Sequence, residues 1–499
     1  MFWIDPEATE TSLSVVLKKV NTGVIAAAGK GTRSYPRTTF IPKPLFRIDG
    51  KSILEKNIEL LIRKIKVKQI FVIVGHLAEQ VMAEVERIRP LYPGVQIETS
   101  FWTRKGLASD VASLEGKFEG PFVTVLGDEL YHESNHEKIL STLRKHPDLA
   151  ASVAVKETPL VSHIKKNYSV ELEKDRVLHL VEKPENPANR LLGLGTYLFT
   201  QTFFDTFRNT PPSERTGVIE ITEVIDRMAR ESRAVYATMV QCGYFNINSL
   251  QDYHHAVYEI RNERFHKFKK SLIIPAENRE QSIDDVLNDF KESVDEIIVV
   301  DAGSEDRTRE IAAEHGAHVV SFNGPRKKEG AMVMAGLEAA RGDICIVVSA
   351  DGTFRCKDLP KLLEYMKDCD MAIGTRTTRQ MIEQGANLKT IRRIMNLLGG
   401  KMIEVFYWGM EPRFTDASCR YFCLWKETFL KIRPRLQEDG SLYIAEMMTE
   451  IVRSLYRCIE VPVTFFKPVK DQAAGDIRSV GDLMRLTGML LKKKFGRIH

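Results

Sequence analysis

Little in this chain of 499 residues points outside the cell or through a membrane. Its seven cysteines, at positions 242, 345, 356, 369, 419, 423 and 458, are odd in number, widely spaced and without a Cys-x-x-Cys pair, which predicts reduced core thiols rather than a disulfide framework. No run of about 18 consecutive apolar residues occurs, so no transmembrane helix is expected. The first twenty residues hold Asp5, Glu7 and Glu10 and lack a basic start followed by an apolar stretch, so no secretory signal is read there. An excess of one charge is also missing: 72 basic against 67 acidic residues leave a net charge of +5, too balanced for the basic face or tail of a nucleic-acid protein. These absences predict a cytoplasmic protein without a nucleic-acid partner and keep anionic small molecules as substrates.

What is present is an ordinary globular composition, 43% hydrophobic and 28% charged, over a length that makes two or three domains. Short β-branched runs alternate with helix-length amphipathic stretches, the pattern of a parallel sheet covered by helices. It happens twice. Gly23–Ala27, Ile70–Val74 and Phe122–Leu126 are separated by helical stretches at 53–64 and 77–88; Ser271–Pro275, Glu296–Val300 and Asp343–Val348 are separated by stretches at 283–290 and 307–315. The join is placed near Phe265, in a stretch (252–270) free of Pro and Gly that reads as a helix docked between domains. The expected organisation is an N-terminal extension (1–20), a first domain (21–264) and a second (265–499), both α/β.

Straight after the first strand comes Ala28-Gly29-Lys30-Gly31-Thr32-Arg33, and about ten residues on, Pro42-Lys43-Pro44. Two glycines let the backbone approach a ligand and turn N–H groups toward phosphate oxygens, while Lys30, Arg33 and Lys43 add cationic donors. Ser34 stands where a dinucleotide-binding loop has its third glycine, and the Walker spacing is missing. A glycine pair alone is usually a tight turn; the added cations make it a triphosphate cradle.

With Gly-x-Gly-Thr-Arg followed by Pro-Lys-Pro, residues 20–260 resemble the sugar-1-phosphate nucleotidyltransferases. The resemblance implies that Gly106-Leu107-Ala108 is the base-side loop, that Gly127-Asp128 carries the magnesium aspartate, that Glu182-Lys183-Pro184 binds the sugar phosphate, and that Gly195 and Tyr197 lie on the strand after it. The family's second metal aspartate is replaced by Asn246 in Tyr244-Phe245-Asn246-Ile247-Asn248; an amide oxygen is a weaker but acceptable magnesium ligand, and a turn cap is the plainer alternative. By this resemblance a sugar-1-phosphate oxygen attacks the α-phosphorus of a nucleoside triphosphate and pyrophosphate leaves, with Asp128-bound Mg²⁺, Arg33, Lys43 and Lys183 offsetting charge.

In the second half, Pro275-Ala276-Glu277-Asn278 opens a strand-to-helix turn, Asp301-Ala302-Gly303-Ser304 closes the next strand, and Ser349-Ala350-Asp351-Gly352 follows a third. Each alone is a common turn. With Gly374-Thr375-Arg376, Arg392-Arg393, Asp416-Ala417-Ser418 and Glu460-Val461-Pro462-Val463 after them in order, residues 270–470 resemble family 2 glycosyltransferases of the GT-A fold, closest to the polyprenyl- or dolichyl-phosphate sugar synthases. The fold class implied for the whole chain is thus two GT-A/Rossmann-like nucleotide-diphospho-sugar transferase domains in tandem. The resemblance further implies that Pro275, Asp301 and Ser304 receive the nucleotide, that Asp351 meets the metal, magnesium or manganese, and the diphosphate, and that Arg376 or Arg393 meets an anionic acceptor. Ser349 replaces the first aspartate of the family's Asp-x-Asp, and Arg279 a frequent glutamate. No secure carboxylate base is read: Glu438-Asp439 lies in a poorly matched loop and Glu446 on an expected helix, which favours a lipid-phosphate acceptor that needs none.

Together these readings describe a bifunctional enzyme that makes a nucleotide sugar and transfers its sugar. One working domain beside a degenerate one, or a nucleotide-sugar-binding scaffold without turnover, are the alternatives. The base, the sugar and any homo-oligomer stay open. The last stretch, 483–495, combines apolar residues with Lys492-Lys493-Lys494, as an interfacial helix at a membrane surface would; a helix packed on the second domain with a solvated basic end is the other reading.

Overall fold

The computed structural model describes residues 19–324, 328–383, 386, 390–410, 412–469, 477 and 479–496; the expected N-terminal extension lies, through residue 18, outside them. The chain separates into two units between Tyr253 and His254. That division falls inside the helix Leu250–Arg264, ahead of the position read from the sequence.

Among the described residues of the first unit, nine strands form one sheet in the order Gln96–Phe101, Gln69–Val74, Thr22–Ala27, Phe122–Leu126, Leu191–Phe199, Ala151–Glu157, Val235–Met239, Arg176–Glu182, Tyr168–Glu173. The first four run parallel, with Thr22 level with both Gln69 and Phe122. Both faces of these strands are covered, which is why they read as continuous apolar runs rather than as alternation. Successive side chains go to opposite faces. Val24, Phe71 and Phe122 face the helices Leu107–Ala112 and Ile221–Ser232, while Ile25, Val72 and Val123 face Ile53–Leu60 and Ala78–Ile88.

The second unit repeats the plan. Among the described residues its seven-stranded sheet has the order His318–Ser321, Glu296–Asp301, Lys270–Ala276, Ile344–Val347, Phe422–Trp425, Met371–Thr375, Cys458–Pro462. Again the first four are parallel, and Phe422–Trp425 runs against its neighbours. In both units the four parallel strands follow the order 3-2-1-4, so the chain reverses direction of winding between strands 1 and 4. Ligands of open α/β sheets bind beyond the C-terminal ends of the strands at that switch point. In the first unit these ends lead to Ala28–Arg33 and to Gly127-Asp128; in the second, to Glu277-Asn278 and to Ser349–Asp351. Asp128 and Asp351 therefore hold equivalent topological positions. Gly127 is required there, since a Cβ would lie 2.6 Å from the Ala26 carbonyl oxygen.

The C-terminal helix Val480–Phe495 is packed on the second unit, with Leu486, Met489 and Leu490 buried. Its basic end is not wholly solvated: Lys493 Nζ lies 2.8 Å from carboxylate oxygens of both Glu446 and Glu450, which are fully buried on the helix Tyr443–Arg453. The lysine adds a cation to two buried carboxylates, beside Arg435 and Arg453 at Glu450 and backbone donors at Glu446. Among the described residues no helix is long and apolar enough to cross a membrane.

Candidate active sites

The loop after strand Thr22–Ala27 folds as three short 3₁₀ turns, 32–34, 37–39 and 43–45. Gly31 takes φ +61°, and a Cβ there would meet Lys43 at 3.0 Å, so the glycine lets Lys43 pass beneath the loop. Thr38 Oγ1 donates to the Gly31 carbonyl over 2.9 Å, and His76 Nε2 contacts the Thr38 carbonyl at 2.8 Å. Lys43 is buried and its Nζ lies 3.3 Å from Asp128 Oδ2. Arg33 and Lys183 are exposed at the rim.

Asp128 starts a turn into the strand Glu129–His132, which pairs antiparallel with Gly243–Asn246 and sets Asn246 opposite Glu129. Ile247 N donates to the Asp128 carbonyl over 3.0 Å. The Asn246 amide nitrogen donates to Asn167 Oδ1 over 2.7 Å, whereas its Oδ1 is buried without a partner in the protein. Asn167 in turn accepts from Lys183 N at its carbonyl over 2.7 Å.

Arg33, Lys43, Asp128, Asn167, Lys183 and Asn246 border one cavity of about 400 Å³. Of the residues singled out in the sequence, Gly31, Thr32, Arg33, Lys43, Leu107, Asp128, Glu182, Lys183, Tyr197, Asn246 and Asn248 line it. Ala28 is buried behind it, Gly29 is exposed, Gly106 precedes the lining residue Leu107, and Gly195 donates its N–H to Glu129 Oε2 over 2.8 Å. The unpartnered Asn246 Oδ1, in a pocket also lined by the Asp128 carboxylate, is the acceptor a hard cation takes up, so the donor set fits a magnesium ion.

Sequence reading passed over Glu129, the residue after Asp128. It is fully buried and accepts from Tyr131 Oη (2.5 Å), Tyr244 Oη (2.8 Å) and Gly195 N. Burial pushes its carboxyl up to about 7, against the pull of those hydrogen bonds. It ties three strands together behind Asp128. Its sequence neighbours gave no signal of this, since its partners Gly195 and Tyr244 lie far along the chain.

In the second unit Asp301 is buried and both its oxygens accept within its own turn, from Gly303 N, Ser304 N and Ser304 Oγ. Asn278 N donates to Ser304 Oγ over 2.9 Å, joining the first two strand ends, and Pro275 sits level with Val300. Asp351 Oδ1 accepts from Thr353 N and Oγ1, and Ser282 Oγ donates to the Ala350 carbonyl over 2.7 Å. Arg376 is 5% exposed and makes a two-pronged ion pair with Asp416, 2.8 Å on each prong, with a further bond to Ser418. Asp416 N and Thr415 N donate to Glu460, so the three separate sequence signatures 374–376, 416–418 and 460–463 form one network. Arg393, partly exposed, donates to the Thr377 carbonyl. Glu446 accepts from Gln437 N and Glu438 N besides holding Lys493.

Two family descriptions match these two units: Nucleotidyl transferase and Glycosyl transferase family 2. Residues 22–263 match the first family and residues 271–422 the second, in tandem. The chain is a transferase twice over, a nucleotidyltransferase domain followed by a glycosyltransferase domain. It is 28% identical over 241 residues to the UTP–glucose-1-phosphate uridylyltransferase AglF of Haloferax volcanii, covering 48% of this chain and 96% of that one. To the bifunctional protein GlmU of Methanococcus maripaludis it is 30% identical over 214 residues, 42% of this chain and 47% of GlmU. To the glycosyltransferase AglJ of Haloferax volcanii it is 28% identical over 200 residues, 39% and 62% respectively. The chain thus spans about half of GlmU and under two thirds of AglJ.

Proposed function

We propose that the first domain (21–264) joins a nucleoside triphosphate to a sugar-1-phosphate and that the second (265–499) transfers the sugar from the resulting nucleotide sugar to a polyprenyl or dolichyl phosphate. The observation that carries the first half is the Lys43–Asp128 pair, 3.3 Å apart in a cavity at the switch point that Arg33 and Lys183 also line. A sugar-1-phosphate oxygen bonds to the α-phosphorus, the bond from that phosphorus to the β-phosphate bridging oxygen breaks, and pyrophosphate takes the electron pair. No proton is removed, because the attacking phosphate is already ionised at neutral pH.

Gly29, Gly31 and Thr32 turn backbone donors to the triphosphate with Ala28 behind them, Arg33 and Lys43 neutralise it, Gly106 borders the base, and Glu182, Lys183 and Gly195 hold the sugar phosphate. Asp128 and Asn246 would hold a magnesium ion, which when bound supplies further charge neutralisation. The name of the relative AglF makes UTP and glucose-1-phosphate the pair to try first.

In the second domain, Pro275, Asp301 and Ser304 shape the nucleotide end of the site, and Asp351 is the carboxylate that would meet a magnesium- or manganese-bound diphosphate. With Arg376 committed to Asp416, Arg393 is the arginine for an anionic acceptor. A lipid phosphate is favoured because a phosphate acceptor needs no base and Glu446, not read as a secure base in the sequence, is taken up by Lys493 and two backbone donors. We place the protein in the cytoplasm, at the membrane face where such an acceptor is presented.

Screening UTP, GTP, CTP and dTTP against a panel of sugar-1-phosphates for pyrophosphate release tests the first half. Supplying the product with a polyprenyl phosphate in detergent, and separately with a polyprenol, tests the second. Pyrophosphate from no pair, or transfer to the polyprenol and not to the phosphate, would overturn the respective half.

A further inference from the structure

Ten of the twenty-one large apolar side chains exposed among the described residues lie on two helices of the second unit, Thr390–Phe406 with the turn Trp408–Met410 that follows it, and Val480–Phe495. On the first, Ile391, Ile394, Leu397, Leu398 and Val405 fall within an arc of about 120° at the helical spacing of ~100° per residue, and Trp408 is exposed in the turn that follows. The opposite face carries Gly399, Gly400 and Ile403 into the interior. On the second, Val480, Met484, Leu491 and Phe495 fall within about 60°, opposite the buried Leu486, Met489 and Leu490. Surface helices put polar residues on the outward face; these two keep mainly apolar ones there, with Lys401 inside the first stripe, and clustered exposed apolar side chains of this kind mark an interaction site.

The two stripes belong to one face. The helices run side by side in the same direction: a Cβ at Gly399 would lie 3.4 Å from Leu486, and further along Lys494 Nζ sits 5.7 Å from the centre of the Phe406 ring. Both also pack on the helix Tyr443–Arg453, so their outward sides look away from it together. Charge identifies the occupant. The sequences of the two helices contain only two carboxylates, Glu404 and Asp482; both are buried and paired, to Lys401 and Arg485. The exposed charges are Lys401, Arg485, Lys492 and Lys494, all positive. A second copy of the chain meeting this face by two-fold symmetry would set cations against cations. An anionic lipid surface offers negative headgroups to the rim and an apolar interior to the stripe.

We infer that this two-helix face seats the second unit on an anionic bilayer surface, with the apolar stripes at the headgroup level. Arg393, on the inner side of the first helix, reaches the Thr377 carbonyl beside the Arg376–Asp416 pair, so the face begins next to the end of the sheet that carries the acceptor candidates. The purpose of the docking rests on the lipid-phosphate reading of the acceptor; its measurement does not, because no substrate is needed.

The full chain is sedimented with vesicles of phosphatidylcholine alone and of phosphatidylcholine mixed with phosphatidylglycerol. It is compared with Leu398→Glu/Val405→Glu and Met484→Glu/Phe495→Glu, and with Leu178→Glu, an exposed strand position of the first unit, as the added-charge control. Binding of the wild type and the control to the anionic vesicles only, with a loss of at least about tenfold in partitioning for each double variant at unchanged unfolding temperature, is the expected result. Absence of wild-type binding, equal binding by the double variants, or a dimer by light scattering that both variants dissociate would overturn it. Transfer to a polyprenol but not to its phosphate, alongside intact vesicle binding, would remove the acceptor reading and leave the docking face standing.

Discussion

The side-chain amide of Asn246 donates to Asn167 Oδ1 over 2.7 Å, and this single bond fixes which end of Asn246 is left for a cation. Groups that orient a metal ligand typically matter 10–100-fold, roughly, when removed. Asn167→Ala is therefore expected to lower nucleotidyl transfer by about that factor and to raise the magnesium concentration for half-maximal rate, with Asn246→Ala giving a larger change of the same kind. A magnesium titration of pyrophosphate release checks this; an unchanged half-saturation in both variants would sink the assignment.

The equivalent topological positions of Asp128 and Asp351 predict separable activities. Asp128→Asn should cut nucleotidyl transfer by about two to three orders of magnitude and leave transfer from a supplied nucleotide sugar nearly intact. Asp351→Asn should do the reverse. Each reaction is measured alone, on folded protein; loss of both activities in either variant contradicts two independent sites.

Arg376 and Asp416 form a buried ion pair, so breaking it from one side leaves an uncompensated charge in the core. Arg376→Met should lower the unfolding free energy of the second unit by about 3–5 kcal/mol, and Arg376→Met/Asp416→Leu should recover part of it. Denaturant unfolding of the three proteins decides. A single variant as stable as wild type, with transfer lost, would return Arg376 to the role of acceptor contact.

His136 is buried, with Nε2 3.2 Å from Thr196 Oγ1 and its ring against Tyr131. Burial lowers its imidazole from the ordinary 6.5 to about 4. The unfolded chain then binds a proton that the folded one refuses between those values, so stability is present above pH 6.5 and lost as pH falls toward 4. At about 1.4 kcal/mol per unit the loss reaches about 2 kcal/mol by pH 5. Urea unfolding of the first unit at pH 7 and 5 should show it, and His136→Phe should shrink the difference; an undiminished pH dependence in that variant would rule the imidazole out as its source.

Strand positions were legible because parallel strands covered on both faces leave unbroken apolar runs: the runs at 23–27, 70–74 and 122–126 lie inside the strands Thr22–Ala27, Gln69–Val74 and Phe122–Leu126. Lys43 was legible too, since a lysine between two prolines carries its own local signal. Asn167 and Glu129 were not, because what distinguishes them is a partner 79 or 115 residues away in sequence, Asn246 and Tyr244, and pairing across a sheet leaves no mark on either residue alone. The partner of Arg376 was not legible for the same reason: an arginine after a strand looks alike whether it faces a ligand or an aspartate 40 residues on. The C-terminal helix was read through its lysines as one basic cluster, although helical spacing sends Lys493 inward and its neighbours outward.

Lys492, Lys493 and Lys494 thus form a built-in reporter. An amine-reactive label should modify the outer two at once on the native protein, whereas Lys493 is shielded for as long as Glu446 and Glu450 hold it. The order in which three adjacent residues react reads out, without any added probe, whether the last helix is attached.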